Sequence, residues 1–182
     1  MQLVLDILLT ALGLVTVGSY AVMGKGHFQS RAMPLGANLI SLAALLSLAI
    51  YIWLLWTTEA PLLAQLAGVI IGALGLWLFF RTIAASQDRG LHFAFDPDNP
   101  VSLVTTGPYR VVRHPFYTSY LIFWVAMSLG AWSVWGIVVL VLLTAMYSFA
   151  ARTEEAKFAT TPMAAEYEAY RKRAGMFWPK LV

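Results

Sequence analysis

Five apolar stretches, each close to the length of a membrane-crossing helix, constrain this sequence more than any other feature. A bilayer core about 30 Å thick needs roughly 20 apolar residues of helix. The stretches cover residues 3–23, 35–56, 61–80, 115–132 and 134–151. The sequence therefore predicts an all-α integral membrane protein with five transmembrane helices. The last two form a tight hairpin, for which a shallow re-entrant hairpin is the alternative.

The composition agrees with a membrane protein and excludes several kinds of site. Of all residues, 60% are hydrophobic and 12% are charged, whereas a soluble domain is about half apolar and about a quarter charged. The absence of cysteine excludes disulfides, thiolate metal ligands and cysteine nucleophiles. With three histidines and no cysteine, we expect no metal site. The net charge of +3 is too small to indicate a nucleic-acid partner.

The positions of the basic residues predict the orientation in the membrane. In a five-span arrangement, all twelve fall on one side, and the positive-inside rule makes that side the cytoplasm. The N-terminus is then outside and the C-terminus cytoplasmic, and we expect a multi-pass protein of a bacterial or archaeal plasma membrane. The twelve residues are Lys25, Arg31, Arg81, Arg89, Arg110, Arg113, Arg152, Lys157, Arg171, Lys172, Arg173 and Lys180.

We interpret the chain as a single membrane domain, residues 1–182, in two parts. Residues 1–80 supply three helices, and residues 81–182 supply a cytoplasmic loop, the helical hairpin and a polar tail. In the third stretch, Gly68 and Gly72 form a GxxxG pair, which lets another helix approach closely. We favour packing inside one molecule over a dimer interface for this pair.

Ionisable residues gather where the fourth and fifth stretches meet the cytoplasm. Arg113 and His114 immediately precede the fourth stretch, and Arg152, Glu154 and Glu155 follow the fifth. Because a tight turn makes these two helices neighbours, the five side chains are expected to converge. Ionisable groups at such a place, flanked by apolar helices, indicate a functional site.

Standard motifs for nucleotide binding, zinc hydrolysis and serine hydrolysis are missing from the sequence. A different pattern is present instead. It consists of LVTTGPYRVVRHPFY at residues 103–117, then a predicted hairpin, RTEE at 152–155 and EYEAYRKR at 166–173. This pattern resembles the isoprenylcysteine carboxyl methyltransferase family, which belongs to a wider group with the phospholipid N-methyltransferases. The resemblance covers residues 102–182, and the first three helices carry no matching motif.

The resemblance implies an integral membrane methyltransferase that uses S-adenosyl-L-methionine (SAM), held on the cytoplasmic side by the C-terminal half. Its acceptor would be a lipophilic molecule entering from the bilayer, with membrane lipids as the surroundings. Arg152 and Glu155 would be the catalytic residues, nearest to the reacting groups. The cofactor-binding residues would be Leu103, Val104, Tyr109, His114, Pro115, Tyr117, Glu154 and Tyr167.

The residues leave the nucleophile open. Arg152 suits the orientation of a carboxylate, as on a prenylcysteine-like substrate, because its guanidinium binds carboxylates with two donors. Glu155 suits the removal of a proton from an amine, as on a phospholipid. Two other functions also stay open. The RHPxY pattern occurs in sterol-type membrane reductases that use NADPH, and a membrane scaffold without catalytic activity would keep the same fold.

Overall fold

A computed structural model describes residues 1–28, 30, 32–87, 89–93 and 95–180, with residues 24–26 described by their backbone alone. The predicted cytoplasmic position of Arg31 lies outside the described residues. The described residues form six α-helices and no strand, which confirms the all-α class. The helices are α1 (Gln2–His27), α2 (Leu35–Thr57), α3 (Leu62–Ser86), α4 (Pro115–Ala131), α5 (Val134–Phe158) and α6 (Ala164–Arg173), with a 3₁₀ turn at Gly107–Arg110.

Four of these helices are long and apolar enough to cross a membrane: α1, α2, α3 and α5. Helix α4 has 17 residues, about 26 Å at 1.5 Å per residue, and most of its side chains are buried by other helices. The predicted spans are thus confirmed in length and composition for four helices. A fifth span through α4 stays a prediction.

Small residues let α3 lie directly against α4. A Cβ atom added at Gly68 would lie 2.8 Å from the carbonyl oxygen of Ala126, and one at Gly75 would lie 3.1 Å from that of Ser119. A Cβ atom at Gly72 would meet Leu12 of α1 at 2.7 Å. The GxxxG pair therefore packs inside the molecule, as predicted.

The α4–α5 hairpin turns within two residues and is fastened to α2. Trp132 adopts a left-handed conformation with φ 46° directly after α4. The Tyr51 hydroxyl of α2 donates to the carbonyl oxygen of Gly136 at 2.6 Å, and the Thr58 hydroxyl donates to that of Ala131 at 2.6 Å. The predicted tight hairpin is confirmed, and these bonds fix its position among the N-terminal helices.

The long segment between α3 and the 3₁₀ turn lies across one end of the helix bundle. The Phe93 ring stacks on Phe28 with 4.4 Å between centroids, and the Phe95 ring stacks on Phe149 of α5 at 5.8 Å. Phe95 also packs on Gly36 of α2, where a Cβ atom would come within 2.4 Å of its ring. These aromatic contacts connect the segment to α2, to α5 and to the residue that follows α1, at the end that carries the RHPxY residues.

Residues after α6 pair with the segment that precedes α4. Val112 and Gly175 form an isolated parallel bridge. The Arg113 N–H donates to the Gly175 carbonyl at 2.7 Å, and the His114 N–H donates to that of Met176 at 3.1 Å. The buried Phe177 joins the core, and its carbonyl accepts a 2.9 Å hydrogen bond from the Thr118 hydroxyl. The tail thus holds the backbone of Arg113 and His114 in place.

Candidate functional site

A cavity of about 470 Å³ opens at the RHPxY end of the bundle. Its walls come from α1, α2, α4, α5 and α6 and from the segment before the 3₁₀ turn. This volume lies within the range of sites that hold small molecules.

All eight residues predicted to bind a cofactor line this one cavity. Residues before the 3₁₀ turn, the turn itself, the start of α4, the end of α5 and the face of α6 each contribute. They are Leu103, Val104, Tyr109, His114, Pro115, Tyr117, Glu154 and Tyr167. The structure brings together residues up to 64 positions apart in the chain, and their roles in binding stay predictions.

The carboxylate of Glu155, next to the cavity, binds Arg113 and His114. Oε1 of Glu155 accepts from Nε of Arg113 at 2.8 Å and lies 3.0 Å from Nε2 of His114. A further nitrogen of the Arg113 guanidinium donates to the Ala174 carbonyl at 2.6 Å. The Arg113 and Glu155 side chains are only 7% and 12% exposed. This cluster joins α5 to the tail and to the start of α4.

The neighbouring Glu154 faces the cavity instead. Its Oε1 accepts from the Tyr117 hydroxyl at 2.5 Å, and its Oε2 lies 3.3 Å from Nδ1 of His114. The side chain is 28% exposed and belongs to the cavity wall, which Glu155 does not. Glu154 is therefore the carboxylate that a bound molecule would meet.

His114 lies between the two carboxylates, which favour its protonated form. Burial lowers the pKa of this imidazole, but the hydrogen bonds and charges of Glu154 and Glu155 outweigh burial and raise it. One ring nitrogen lies towards each glutamate, so both polar atoms of the imidazole are occupied within the protein.

The two residues predicted to be catalytic do not line the cavity. Arg152 is exposed on α5 and takes no part in the Arg113–Glu155 cluster, so the structure does not bring it to the other four residues, and its catalytic role stays a prediction. Successive residues of an α-helix are about 100° apart, so Arg152 points away from Glu154. Glu155 lies beside the cavity and is occupied by Arg113 and His114.

Four tyrosines form one part of the cavity wall, and the sequence analysis had named only Tyr117 among them. Tyr20, Tyr117, Tyr120 and Tyr147 come from α1, α4 and α5. The centroids of Tyr20 and Tyr120 are 4.3 Å apart, and Tyr117 stacks on Tyr147 at 5.6 Å. Tyr120 follows Tyr117 by three residues, and this helical spacing was the one sequence signal that places Tyr120 on the same face of α4. The other two join them only through tertiary packing.

The wall formed by α1 and α2 is mostly apolar, with Asn38 and Ser41 as polar exceptions beside Tyr20. It includes Val17, Ala21, Ile40, Ala44 and Leu45. Leu45 is also exposed on the outer surface of the bundle, so the cavity reaches the surface between helices that are long enough to span a membrane. The cavity thus has a polar end and an apolar end.

Three side chains near the cavity form a group that the prediction of no metal site did not anticipate. Ligand atoms of His92, Asp96 and Asp98 lie within 4.8 Å of one another. Asp96 also accepts a hydrogen bond from the Asp98 N–H at 2.9 Å, and it lies 3.5 Å from Nδ1 of His92. These contacts shape the segment that lies across the bundle.

Comparison with known proteins gives one family. The model of the phospholipid methyltransferase family matches residues 63–162, more than half of the 182 residues. The match includes α3, the 3₁₀ turn, α4 and α5, and seven of the eight predicted cofactor-binding residues; Tyr167 lies beyond it. No curated protein matches the chain significantly.

Proposed function

Since the chain belongs to the phospholipid methyltransferase family, we propose that it transfers a methyl group from SAM to the amine of a membrane phospholipid. The observation that carries this proposal is the single cavity in which the eight motif residues meet an apolar wall. Glu154 and the four tyrosines lie where a donor held at the polar end and a lipid acceptor would meet.

The polar end of the cavity has groups that suit SAM. Among the described residues, the peptide groups of Leu103 and Val104 make no hydrogen bond, so they are free to pair with an adenine or with the amino-acid part of the cofactor. Tyr109 and Tyr167 offer aromatic surface beside them. Glu154 offers a negative charge to a sulfonium. When bound, SAM supplies an electrophilic methyl group.

The charges in the wall favour an amine acceptor over a carboxylate acceptor. Binding a carboxylate needs a cation that is free to contact it, and Arg113 and His114 are already paired with Glu154 and Glu155. Arg152 is exposed outside the wall. A positively charged amine, in contrast, needs no unpaired anion, because the faces of the tyrosine rings in the wall attract it.

We propose that Glu154 is the general base and that its neighbours position it. An ammonium group must lose a proton before its nitrogen can attack, and a carboxylate at hydrogen-bond distance can accept that proton. Tyr117 and His114 hold the two oxygens of Glu154 in fixed directions. The apolar wall excludes water, and fixed positions of the two reactants supply most of the remaining rate enhancement.

In the membrane, we propose five spans with the polar end in the cytoplasm. The basic residues of the tail and of the segment before the 3₁₀ turn support this orientation. Because the chain has no cysteine, single cysteines can be placed as reporters. With five spans, S133C is labelled by a membrane-impermeant maleimide from outside intact cells and T105C only after lysis. Labelling of both from the same side would contradict the fifth span.

The activity is tested with purified protein, radiolabelled SAM and a set of acceptors. We expect methylation of phosphatidylethanolamine and of a lipid extract, little methylation of prenylcysteine analogues, and loss of the activity in E154Q. Calorimetry with S-adenosylhomocysteine tests the cofactor separately, with NADPH as the comparison. Binding of NADPH but not of S-adenosylhomocysteine would refute methyl transfer, and preferred methylation of a prenylcysteine would refute the amine acceptor.

A further inference from the structure

A second recess lies beside the cavity, between the 3₁₀ turn and the end of α6. It is lined by Thr105, Thr106, Arg110, Tyr170 and Arg173. Only Tyr170 is shared with the larger cavity. The recess combines two guanidinium groups, two hydroxyl-bearing threonines and a tyrosine, and it contains no carboxylate.

The two arginines of this recess have no acidic partner among the described residues. The ion pairs of this region engage Arg113 and Arg171, with Glu155 and Glu168. Neither Arg110 nor Arg173 takes part in an ion pair or donates a side-chain hydrogen bond within the described part of the chain. Two like charges at one recess repel each other, so an anion bound between them would be stabilised by both.

The backbone on either side of the recess is held firmly. Gly107, with φ 57°, packs on Ala85 of α3, where a Cβ atom would come within 2.7 Å. The buried Tyr170 hydroxyl donates to the carbonyl of Tyr109 at 2.6 Å, so α6 is joined to the 3₁₀ turn. The Arg173 guanidinium lies 5.9 Å from the centre of the Tyr170 ring. The backbone around the recess therefore needs little ordering when an anion binds.

We infer that this recess binds a phosphate group. A guanidinium presents its donors in a planar fork that matches phosphate oxygens, and two such forks with nearby hydroxyls surround one phosphate. A lipid headgroup at the membrane surface and free inorganic phosphate share this chemistry. The inference is independent of the proposed methyl transfer, because none of the proposed catalytic groups lines the recess.

The test compares binding of two probes to the full chain in nanodiscs. The probes are inorganic phosphate, measured by calorimetry, and phosphatidic acid in a phosphatidylcholine background, measured by native mass spectrometry. The test variant is R110Q/R173Q, and the matched control is R81Q/K172Q. The control removes the same charge from exposed positions outside the recess.

We expect the control to bind like the wild type apart from a modest general electrostatic loss, and the test variant to bind at least about tenfold more weakly. Weakening with phosphatidic acid alone identifies a lipid headgroup, and weakening with both probes identifies a phosphate site open to solvent. Equal binding by the two double variants, or no binding of either probe to the wild type, would overturn the inference. Unfolding temperatures in phosphatidylcholine alone show whether both variants are folded.

Discussion

Exchanging Glu154 and Glu155 for glutamine, one at a time, should show which of them supports stability and which supports activity. Glu155 pairs with Arg113 at 2.8 Å and with His114 at 3.0 Å in a cluster that is mostly buried. Glu154 lines the cavity and has a weaker set of partners. The structure therefore predicts that E155Q mainly loses stability, whereas E154Q mainly loses activity.

The magnitudes follow from burial and from the number of partners. Removing one member of a buried ion pair costs about 3–5 kcal/mol of unfolding free energy. Since glutamine keeps the shape and one acceptor, we expect about 3 kcal/mol for E155Q, or roughly 6–12 °C in unfolding temperature for a chain of this size. E154Q should cost about 1 kcal/mol, because the amide oxygen still accepts from Tyr117.

The activity of the two variants should change in the opposite order. Loss of a general base lowers the rate by about 10²–10⁴-fold, so we expect a fall in kcat of this size for E154Q. E155Q, assayed well below its own unfolding temperature, should lose less than about tenfold.

Thermal unfolding in detergent and radiolabelled methyl transfer are measured on the same preparations. An E155Q protein as stable as the wild type, or an E154Q protein with full activity, would refute the division of roles.

Three further predictions concern packing, the tail and pH. G68A should lose about 1–3 kcal/mol of stability in thermal unfolding because its Cβ meets a backbone carbonyl of α4, whereas G18A, with open space around it, should not. G175A should release the tail, because its Cβ would lie within 1.7 Å of the Trp178 carbonyl, and faster trypsin cleavage after α6 would show this. The raised pKa of His114 means that the folded state binds a proton more tightly than the unfolded state. The stabilisation is therefore complete below the ordinary histidine pKa and is lost as pH rises through the raised value, so the fall in unfolding temperature with rising pH over this range should be smaller in H114Q.

Much of the helical framework could be predicted from apolar length alone. The ends of α2, α3 and α5 lie within a few residues of the predictions, apart from the extension of α3 and α5 beyond the apolar stretch. The extension of α3 had no signal, because polar residues at the end of a helix do not change the count of apolar ones, whereas the RTEE residues at 152–155 indicate that α5 continues. Helix α4 ends within one residue of its predicted stretch, 115–132.

The sequence predicted those residues of the candidate site that belong to a local motif. The segment from Leu103 to Tyr117 comes to the cavity as a unit. Arg152 was expected at the site because the ends of α4 and α5 are neighbours, but adjacency of two helices does not fix which face a residue occupies, and two residues along a helix turn the side chain by about 200°. Pairing of Gly175 with Val112 had no signal, because an isolated bridge across about 60 residues shows no periodicity.

The parallel bridge between the tail and the RHPxY segment determines the order in which the site can be completed. Arg113 needs Glu155, Ala174 and Gly175 as partners, and these follow it by about 40 to 60 residues. At a synthesis rate of about 5–20 residues per second, Arg113 leaves the ribosome at least some seconds before its last partner. During that interval the residues of α4 have been synthesised, but the last hydrogen-bond partners of Arg113 have not. A chain that ends between α5 and Gly175 has all five long helices but lacks the partners that hold Arg113, so the site can be completed only after the tail has been synthesised.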